Sequence, residues 1–176
     1  GDGPCGQRYA ADIDPSRRTR LAEIGGQPVQ SIAELARPAR CIIIAVFSTE
    51  QVEDVVENHL LPALGDGSGK IVLCMSTCDP DQVAALARRV IPRGIRYLDV
   101  PVSGTSDQVR RGDGVALIGG DVAIADEVKD VLDALFARRF HIGDVGDGGR
   151  AKLAVNLILG LNRLALAEGL VFAERL

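Results

Sequence analysis

The chain has 176 residues, 47% of them hydrophobic and 25% charged, with a formal net charge of −4. These values are typical of a soluble globular domain, and the acidic balance gives no basis for binding nucleic acid or an anionic membrane. With no Trp and few other aromatic residues, base-stacking surfaces are also excluded. No apolar run reaches the length needed to span a bilayer and no signal-peptide pattern opens the chain, so we expect a cytoplasmic protein without membrane partners.

The cysteines predict buried or incidental thiols and no metal site. They show no Cys-x-x-Cys pair, and the Cys74-x3-Cys78 spacing is a weak metal signal. Only His59 and His141 could add imidazole ligands. The four thiols are Cys5, Cys41, Cys74 and Cys78.

Short runs rich in β-branched residues alternate along the chain with helical patterns. Several runs are apolar on both faces, which is typical of parallel strands covered by helices on both sides. The alternation therefore predicts a doubly wound, mostly parallel α/β sheet. The predicted strands are 8–12, 41–46, 71–75, 97–100, 115–118 and 140–142, and the predicted helices are 15–24, 31–35, 49–61, 80–90 and 122–136.

The C-terminal stretch, 149–176, predicts one long helix of about 40 Å. Its apolar residues do not keep to one stripe, and a helix that is apolar on nearly all sides is normally buried on all sides. We therefore expect a nucleotide-binding type of domain over 1–148, followed by an inter-domain helix over 149–176.

An acidic residue, Asp12, ends the first predicted strand. In dinucleotide-binding folds an acid at this place binds the adenosine ribose hydroxyls. Helix capping is the simpler explanation for the neighbouring Asp14, because Pro15 suits the first helical position. Both roles are compatible.

A second motif, Asp-Val-Pro-Val-Ser-Gly-Thr at 99–105, takes a strand through Ser103-Gly104 into a short helix. Free backbone N–H groups at a helix start, together with a Ser hydroxyl, suit a carboxylate or phosphate. The alternative interpretation is an ordinary turn.

The third motif, Gly-Asp-Gly-Gly-Arg-Ala-Lys-Leu-Ala-Val-Asn at 146–156, opens the long helix. We expect its glycines to allow close approach to a ligand. Lys152 and Asn156 are spaced i,i+4 and so project from one helix face. A lone Lys in a first turn is more often solvated, but a Lys and an Asn on an otherwise apolar helix favour a site.

Taken in order, these segments resemble the β-hydroxyacid dehydrogenases, nicotinamide-dependent enzymes of small 3-hydroxyacids. The most specific part is Pro-Val-Ser-Gly followed by Gly-x-Gly-x3-Lys-x3-Asn. The matching segments are 12–15, 42–46, 75–80, 99–104, 119–121, 146–156 and 167–169.

The resemblance implies a cofactor site for NAD, which we expect to be preferred, or NADP. Asp12 would hold the adenosine ribose. Val46 and Phe47, through their backbone, and Gln51 would line the cofactor path, and Thr77 would lie near the nicotinamide.

It also implies the substrate site and the catalytic group. Ser103 and Gly104, with Thr105 beside them, would bind the carboxylate of a small hydroxyacid, and Asn156 would hold the substrate. Lys152 would exchange the hydroxyl proton while hydride moves to or from the nicotinamide, and no metal is implied.

Three positions depart from the family pattern. Thr105 replaces a Gly and could narrow the pocket, Val155 replaces an Asn, and Phe47 replaces a Pro. Simple packing is the alternative interpretation of Phe47.

The N-terminus differs most from the family. Residues 1–6 match Gly-x-Gly-x-x-Gly literally, but no strand precedes them, so we interpret the match as coincidence. We therefore expect a partial chain, without the first strand, the glycine-rich loop and the helical C-terminal domain, that forms homo-oligomers through the C-terminal helix. A non-catalytic nucleotide-binding or interaction module is the alternative, and an unrelated doubly wound protein such as a methyltransferase or receiver domain is the third possibility.

Overall fold

The computed structural model describes residues 8–176. The predictions on residues 1–6 and on Cys5 lie outside the described residues. The strands are β1 (Tyr9–Ala10), β2 (Gln27–Pro28), β3 (Cys41–Ile44), β4 (Ile71–Cys74), β5 (Arg96–Asp99), β6 (Val102–Ser103), β7 (Val115–Gly119) and β8 (Arg138–Gly143). The α-helices are α1 (Pro15–Glu23), α2 (Ile32–Ala36), α3 (Thr49–Asp54), α4 (Leu61–Leu64), α5 (Pro80–Val90), α6 (Ser106–Arg110), α7 (Val122–Glu127), α8 (Lys129–Leu135) and α9 (Asp147–Arg175).

The predicted strands and helices are present, and the differences lie in short or interrupted elements. Strands β2 and β6 have two residues each, too few to show a periodic pattern. The helix predicted over 49–61 is divided by a π-helical segment, Val55–Leu60. Pro62, two residues after this segment, has no N–H to donate to a preceding carbonyl. The helix predicted over 122–136 is divided at Val128, whose φ and ψ are −104° and 21°.

The main sheet is parallel at its centre and antiparallel toward one edge. Strands β3, β4 and β5 are parallel neighbours, with Ile44 opposite Cys74 and Cys74 opposite Asp99. Strand β7 runs antiparallel to both β5 and β6 and pairs in parallel with β8. Strands β1 and β2 form a separate parallel pair.

Two hydrophobic clusters, one on each face of the sheet, form the core. In β4, Val72 and Cys74 belong to one cluster, while Ile71 and Leu73 belong to the other. Helices α2 to α5 cover the first face, and α7 and α8 cover the second. Because successive residues of a strand point to opposite faces, this division confirms the doubly wound fold.

The described cysteines lie in or against these clusters. Cys74 and Cys78 are buried in the first cluster, and Cys41 packs partly buried against the second. Within residues 8–176, no group of three His, Cys, Asp or Glu side chains could hold a metal ion.

Helix α9 extends over 29 residues and begins at Asp147, two residues before the predicted boundary. By length and composition alone it could cross a membrane, so the expectation that no apolar stretch is long enough is wrong. Arg163 interrupts the apolar run, but 29 helical residues still rise about 44 Å, more than the hydrocarbon core of about 30 Å. Its exposed apolar residues are Leu153, Leu157, Ile158, Leu159, Leu161, Leu164, Leu166, Leu170, Val171 and Phe172.

Candidate functional site

The carboxyl ends of β3, β4 and β5 lie side by side and carry polar residues. Val46 follows β3, Ser76 and Thr77 follow β4, and Asp99 ends β5. The buried Ser76 hydroxyl accepts a hydrogen bond of 2.8 Å from the Val46 N–H and so joins two of these loops. Open α/β sheets bind ligands at this edge, which makes it the candidate site.

Phe47 lies in the first of these loops with 88% of its surface exposed. The simple-packing interpretation of Phe47 is therefore wrong. Its N–H donates to the Gln51 side-chain oxygen at 2.9 Å, and the Ser48 hydroxyl accepts from the Gln51 N–H to cap α3. Gln51 thus stabilises the loop, and the Phe47 ring is exposed to solvent at the edge of the sheet.

Asp12 follows β1 at the start of α1. Its carboxylate accepts from the Asp14 N–H at 2.9 Å and lies 3.8 Å from the Arg17 guanidinium. Asp14 caps α1 by accepting a hydrogen bond from the Ser16 N–H, and Pro15 occupies the first helical position. The predicted cap is confirmed, and these contacts of Asp12 stay within its own loop and helix.

The Ser103-Gly104-Thr105 turn connects β6 to α6. Gly104 has a φ of +139°, which a side chain would disfavour. Thr105 and Gln108 cap each other, since the Thr105 hydroxyl accepts from the Gln108 N–H and the Gln108 side chain accepts from the Thr105 N–H. The expectation of free N–H groups at this helix start is therefore wrong for two of them, because the sequence forms a capping box.

The glycines that open α9 pack against the protein itself. A Cβ on Gly148 would lie 2.6 Å from the Leu117 carbonyl oxygen and 3.1 Å from the Asp99 carbonyl oxygen. A Cβ on Gly149 would lie 3.3 Å from the Pro80 ring. We expected these glycines to allow close approach to a ligand, and that expectation is wrong. Their missing side chains instead allow α9 to begin in contact with β5, β7 and α5.

Asp99 is the polar group at the centre of this contact. Its buried carboxylate accepts a hydrogen bond of 2.8 Å from the Gly149 N–H. Burial raises the pKa of Asp99 to about 6, although the N–H groups of Gly149 and then Gly146 favour its ionised form.

Lys152 lies one turn further along α9 and is only 8% exposed. Burial lowers the pKa of its amine below the ordinary lysine value. Among residues 8–176, no carboxylate forms an ion pair with it, whereas Lys129 pairs with Asp133. The solvated-surface interpretation of Lys152 is therefore wrong. Asn156, one turn later, is exposed.

The described structure brings part of the predicted site together. Val46 and Thr77 share the carboxyl edge, and Asp99 ties that edge to the helix that carries Lys152. Sequence reasoning assigned no role to Ser76 or Asp99, although each follows or ends a buried strand, which was the available signal. An open groove of 370 Å³ between α2 and α4 contains none of the predicted site residues.

This fold, with its polar residues at the carboxyl edge and a buried lysine on the helix that follows, defines a dinucleotide-binding domain. Residues 7–143 match the family described as the NAD binding domain of 6-phosphogluconate dehydrogenase. The chain belongs to this family. The possibility of a methyltransferase or receiver domain is therefore excluded, and the predicted resemblance to the β-hydroxyacid dehydrogenases is confirmed.

Relatives and a solved structure agree with this assignment. The chain is 32% identical over 155 residues to 2-hydroxy-3-oxopropionate reductase of Escherichia coli K12, covering 88% of this chain and 53% of that protein. It is 35% identical over 142 residues to the cytokine-like nuclear factor N-PAC of Xenopus tropicalis, covering 81% of this chain and 27% of that protein. A 3-hydroxyisobutyrate dehydrogenase structure from Salmonella typhimurium superposes with a TM-score of 0.85 at 26% identity, covering 97% of this chain and 60% of that one.

Proposed function

We propose that this chain is the nucleotide-binding part of an NAD(P)-dependent oxidoreductase that acts on the CH–OH group of small 3-hydroxyacids. Lys152, a residue only 8% exposed and without an ion-pair partner among residues 8–176, carries the proposal. Lysine is almost never buried without a partner, because desolvating an ammonium group is costly, and such groups concentrate at functional sites. The similarity to the E. coli reductase supports the substrate class.

Lys152 is the proposed catalytic residue. Its lowered pKa brings proton release closer to neutral pH, which a group that both accepts and donates a proton requires. In oxidation the amine takes the substrate hydroxyl proton, and in reduction it returns a proton to the forming alkoxide. The proposed binding site for the substrate carboxylate consists of Ser103, Gly104 and Thr105. The exposed Asn156 side chain is free to reach the substrate.

The residues at the carboxyl edge fit a nicotinamide dinucleotide. The exposed Phe47 ring and the Val46 backbone offer a surface for it, with Thr77 in the next loop. Asp12, which follows β1 of the separate strand pair, would accept from a ribose hydroxyl. When bound, the nicotinamide would accept or deliver the hydride. We propose NAD as the preferred cofactor, because the Asp12 carboxylate repels a 2′-phosphate, although the Arg17 guanidinium 3.8 Å away weakens that repulsion.

Replacing Lys152 in the full-length protein tests the proposal. Lys152→Ala should lower kcat by about 10²–10⁴-fold, the usual contribution of a positioned general acid or base, and leave cofactor binding nearly intact. Lys152→Arg should restore little, because a guanidinium does not release its proton near neutral pH. Steady-state kinetics and cofactor titration by fluorescence would measure both effects.

Lys129→Ala is the matched control, since Lys129 is exposed and paired with Asp133 away from the site. It should keep the activity of the unmodified protein. A Lys152→Ala protein with near-normal kcat would refute the assignment.

A non-catalytic nucleotide-binding or interaction module is the second candidate. Similarity to the nuclear factor N-PAC favours it, because that name describes no dehydrogenase. The burial of Lys152 weighs against it, since an interaction module has no use for a proton-transfer group. Cofactor binding without turnover of any small 3-hydroxyacid by the unmodified protein would favour this candidate.

We also propose a cytoplasmic, homo-oligomeric protein without nucleic-acid or membrane partners. The free, buried thiols of Cys74 and Cys78 are typical of a reducing compartment. The exposed apolar surface of α9 supports association through this helix, which we propose to be an inter-domain helix.

A further inference from the structure

We propose that Asp99 is a positioning residue for Lys152, holding the first turn of α9 at the end of β5 through its buried carboxylate. The inference rests on the proposed function of Lys152. It adds a role for a residue that contacts the helix rather than the reacting atoms.

The first observation is that α9 lacks a side-chain cap at its own N-cap residue. Gly146 occupies that place with a φ of +101° and offers no side chain. The first N–H groups of a helix have no partner within the helix, and buried ones need an acceptor. Asp99 supplies it from another element, at 2.8 Å from the Gly149 N–H, and its negative charge also suits the positive end of the helix.

The second observation is how closely this turn fits its surroundings. Gly148 is wedged against the Leu117 and Asp99 carbonyl oxygens, and a Cβ on Gly119, which pairs with Asp99, would lie 3.0 Å from the Gly148 N. Three backbones therefore meet with no room for a side chain. A hydrogen bond at this point determines the distance of the helix start from the sheet and the rotation of α9 about its own axis.

The third observation is that Asp99 connects the two halves of the proposed substrate site. Lys152 follows Gly149 by three residues, about one helical turn, so the backbone position from which its side chain extends follows the turn that Asp99 holds. In the other direction, Asp99 is joined through Pro101 to Ser103 in β6. Asp99 therefore sets the distance between the proton-transfer amine and the proposed binding site for the substrate carboxylate.

The test is a pair of substitutions in the full-length protein, Asp99→Asn and Asp99→Ala. Misplacement of a reacting group by about 1 Å can cost 10²-fold in rate, so Asp99→Ala should lower kcat on the order of 10- to 100-fold with little change in KM for the cofactor. Asp99→Asn keeps one oxygen acceptor and should lose less. Asp121→Asn is the matched control, because Asp121 caps α7, which carries no proposed site residue.

A second readout separates positioning from general stability and from the role of Lys152 in turnover. Lys152 labelled by ¹³C reductive methylation gives an NMR signal that reports the pKa of its amine, and Lys152→Arg identifies that signal. In Asp99→Ala the helix start shifts and Lys152 loses burial, so its pKa should rise, whereas simple loss of a nearby negative charge would lower it.

An unchanged Lys152 pKa together with unchanged kcat in Asp99→Ala and Asp99→Asn would overturn the inference. A lowered melting temperature with normal kcat for the folded protein would overturn it too, since that result marks a purely structural residue. Retained turnover in Lys152→Ala would instead refute the proposed function, while the Lys152 pKa would still report whether Asp99 positions it.

Discussion

Two buried ionisable side chains, Lys152 and Asp99, lie near the start of α9, and burial shifts both pKa values toward neutrality from opposite sides. The two groups differ in their partners. Asp99 accepts a backbone hydrogen bond, whereas the Lys152 amine has no acidic partner among the described residues. A charge satisfied by backbone N–H groups is suited to holding structure, and an unpaired amine is suited to exchanging a proton.

At the same scale, Asp12 provides a test of cofactor choice. Asp12→Ala should raise KM for NAD by about 10-fold, the cost of one hydrogen bond to a charged group, and change KM for NADP less. The preference for NAD should therefore narrow or reverse, as measured by kcat/KM with both cofactors.

Asp14→Ala is the control for that experiment, because it removes a carboxylate two residues away that caps α1 and, like Asp12, lies 3.8 Å from the Arg17 guanidinium. It should lower the melting temperature slightly, through loss of the helix cap, without altering cofactor choice. A clear NADP preference in the unmodified protein would contradict the assignment of Asp12.

At the scale of elements, the start of α9 depends on residues without side chains. Gly148→Ala should destabilise the protein by about 1–3 kcal/mol, the usual cost of overpacking, because the added Cβ would lie 2.6 Å from the Leu117 carbonyl oxygen. This cost exceeds the gain of about 1 kcal/mol in helix propensity from Gly to Ala. Urea denaturation would measure the change in the free energy of unfolding.

Gly160→Ala is a matched control within the same helix. A Cβ at Gly160 meets nothing within 4 Å, so only the propensity gain remains and this variant should be stabilised or unchanged. Equal effects at both positions would show that the packing of Gly148 against β5 and β7 does not restrain the helix.

At the scale of the whole molecule, α9 leaves a large apolar surface uncovered. Exposed patches of this kind mark interaction surfaces or aggregation hazards. Residues 1–176 expressed alone should therefore self-associate and show no measurable dehydrogenase activity. Sedimentation velocity over a range of concentrations would measure the association.

Replacing Leu157, Leu161 and Leu164 together with Gln should weaken that association, since each side chain is more than half exposed and the three lie near one another on the helix. A monodisperse monomer before substitution would contradict the prediction. Flotation of the unmodified chain with lipid vesicles would instead contradict the proposal that α9 has no membrane partner.

The sequence determined the fold class, because strand and helix periodicities are local and repeat along the chain. The β-branched runs and the cap at Asp14 act within a few residues, so their consequences can be read in order. A Lys and an Asn one turn apart on an apolar helix also form a local pattern that indicated a site, and the resemblance to the β-hydroxyacid dehydrogenases implied the catalytic role of Lys152.

Only the tertiary structure decided which glycines and acids hold distant elements of the protein together. Gly148 and Gly149 contact β5, β7 and α5, and Asp99 contacts a turn 50 residues away. Such contacts depend on how distant strands and helices pack, and no local periodicity encodes that packing. The burial of Lys152 was decided in the same way, because the solvation of an amine depends on the elements that surround it.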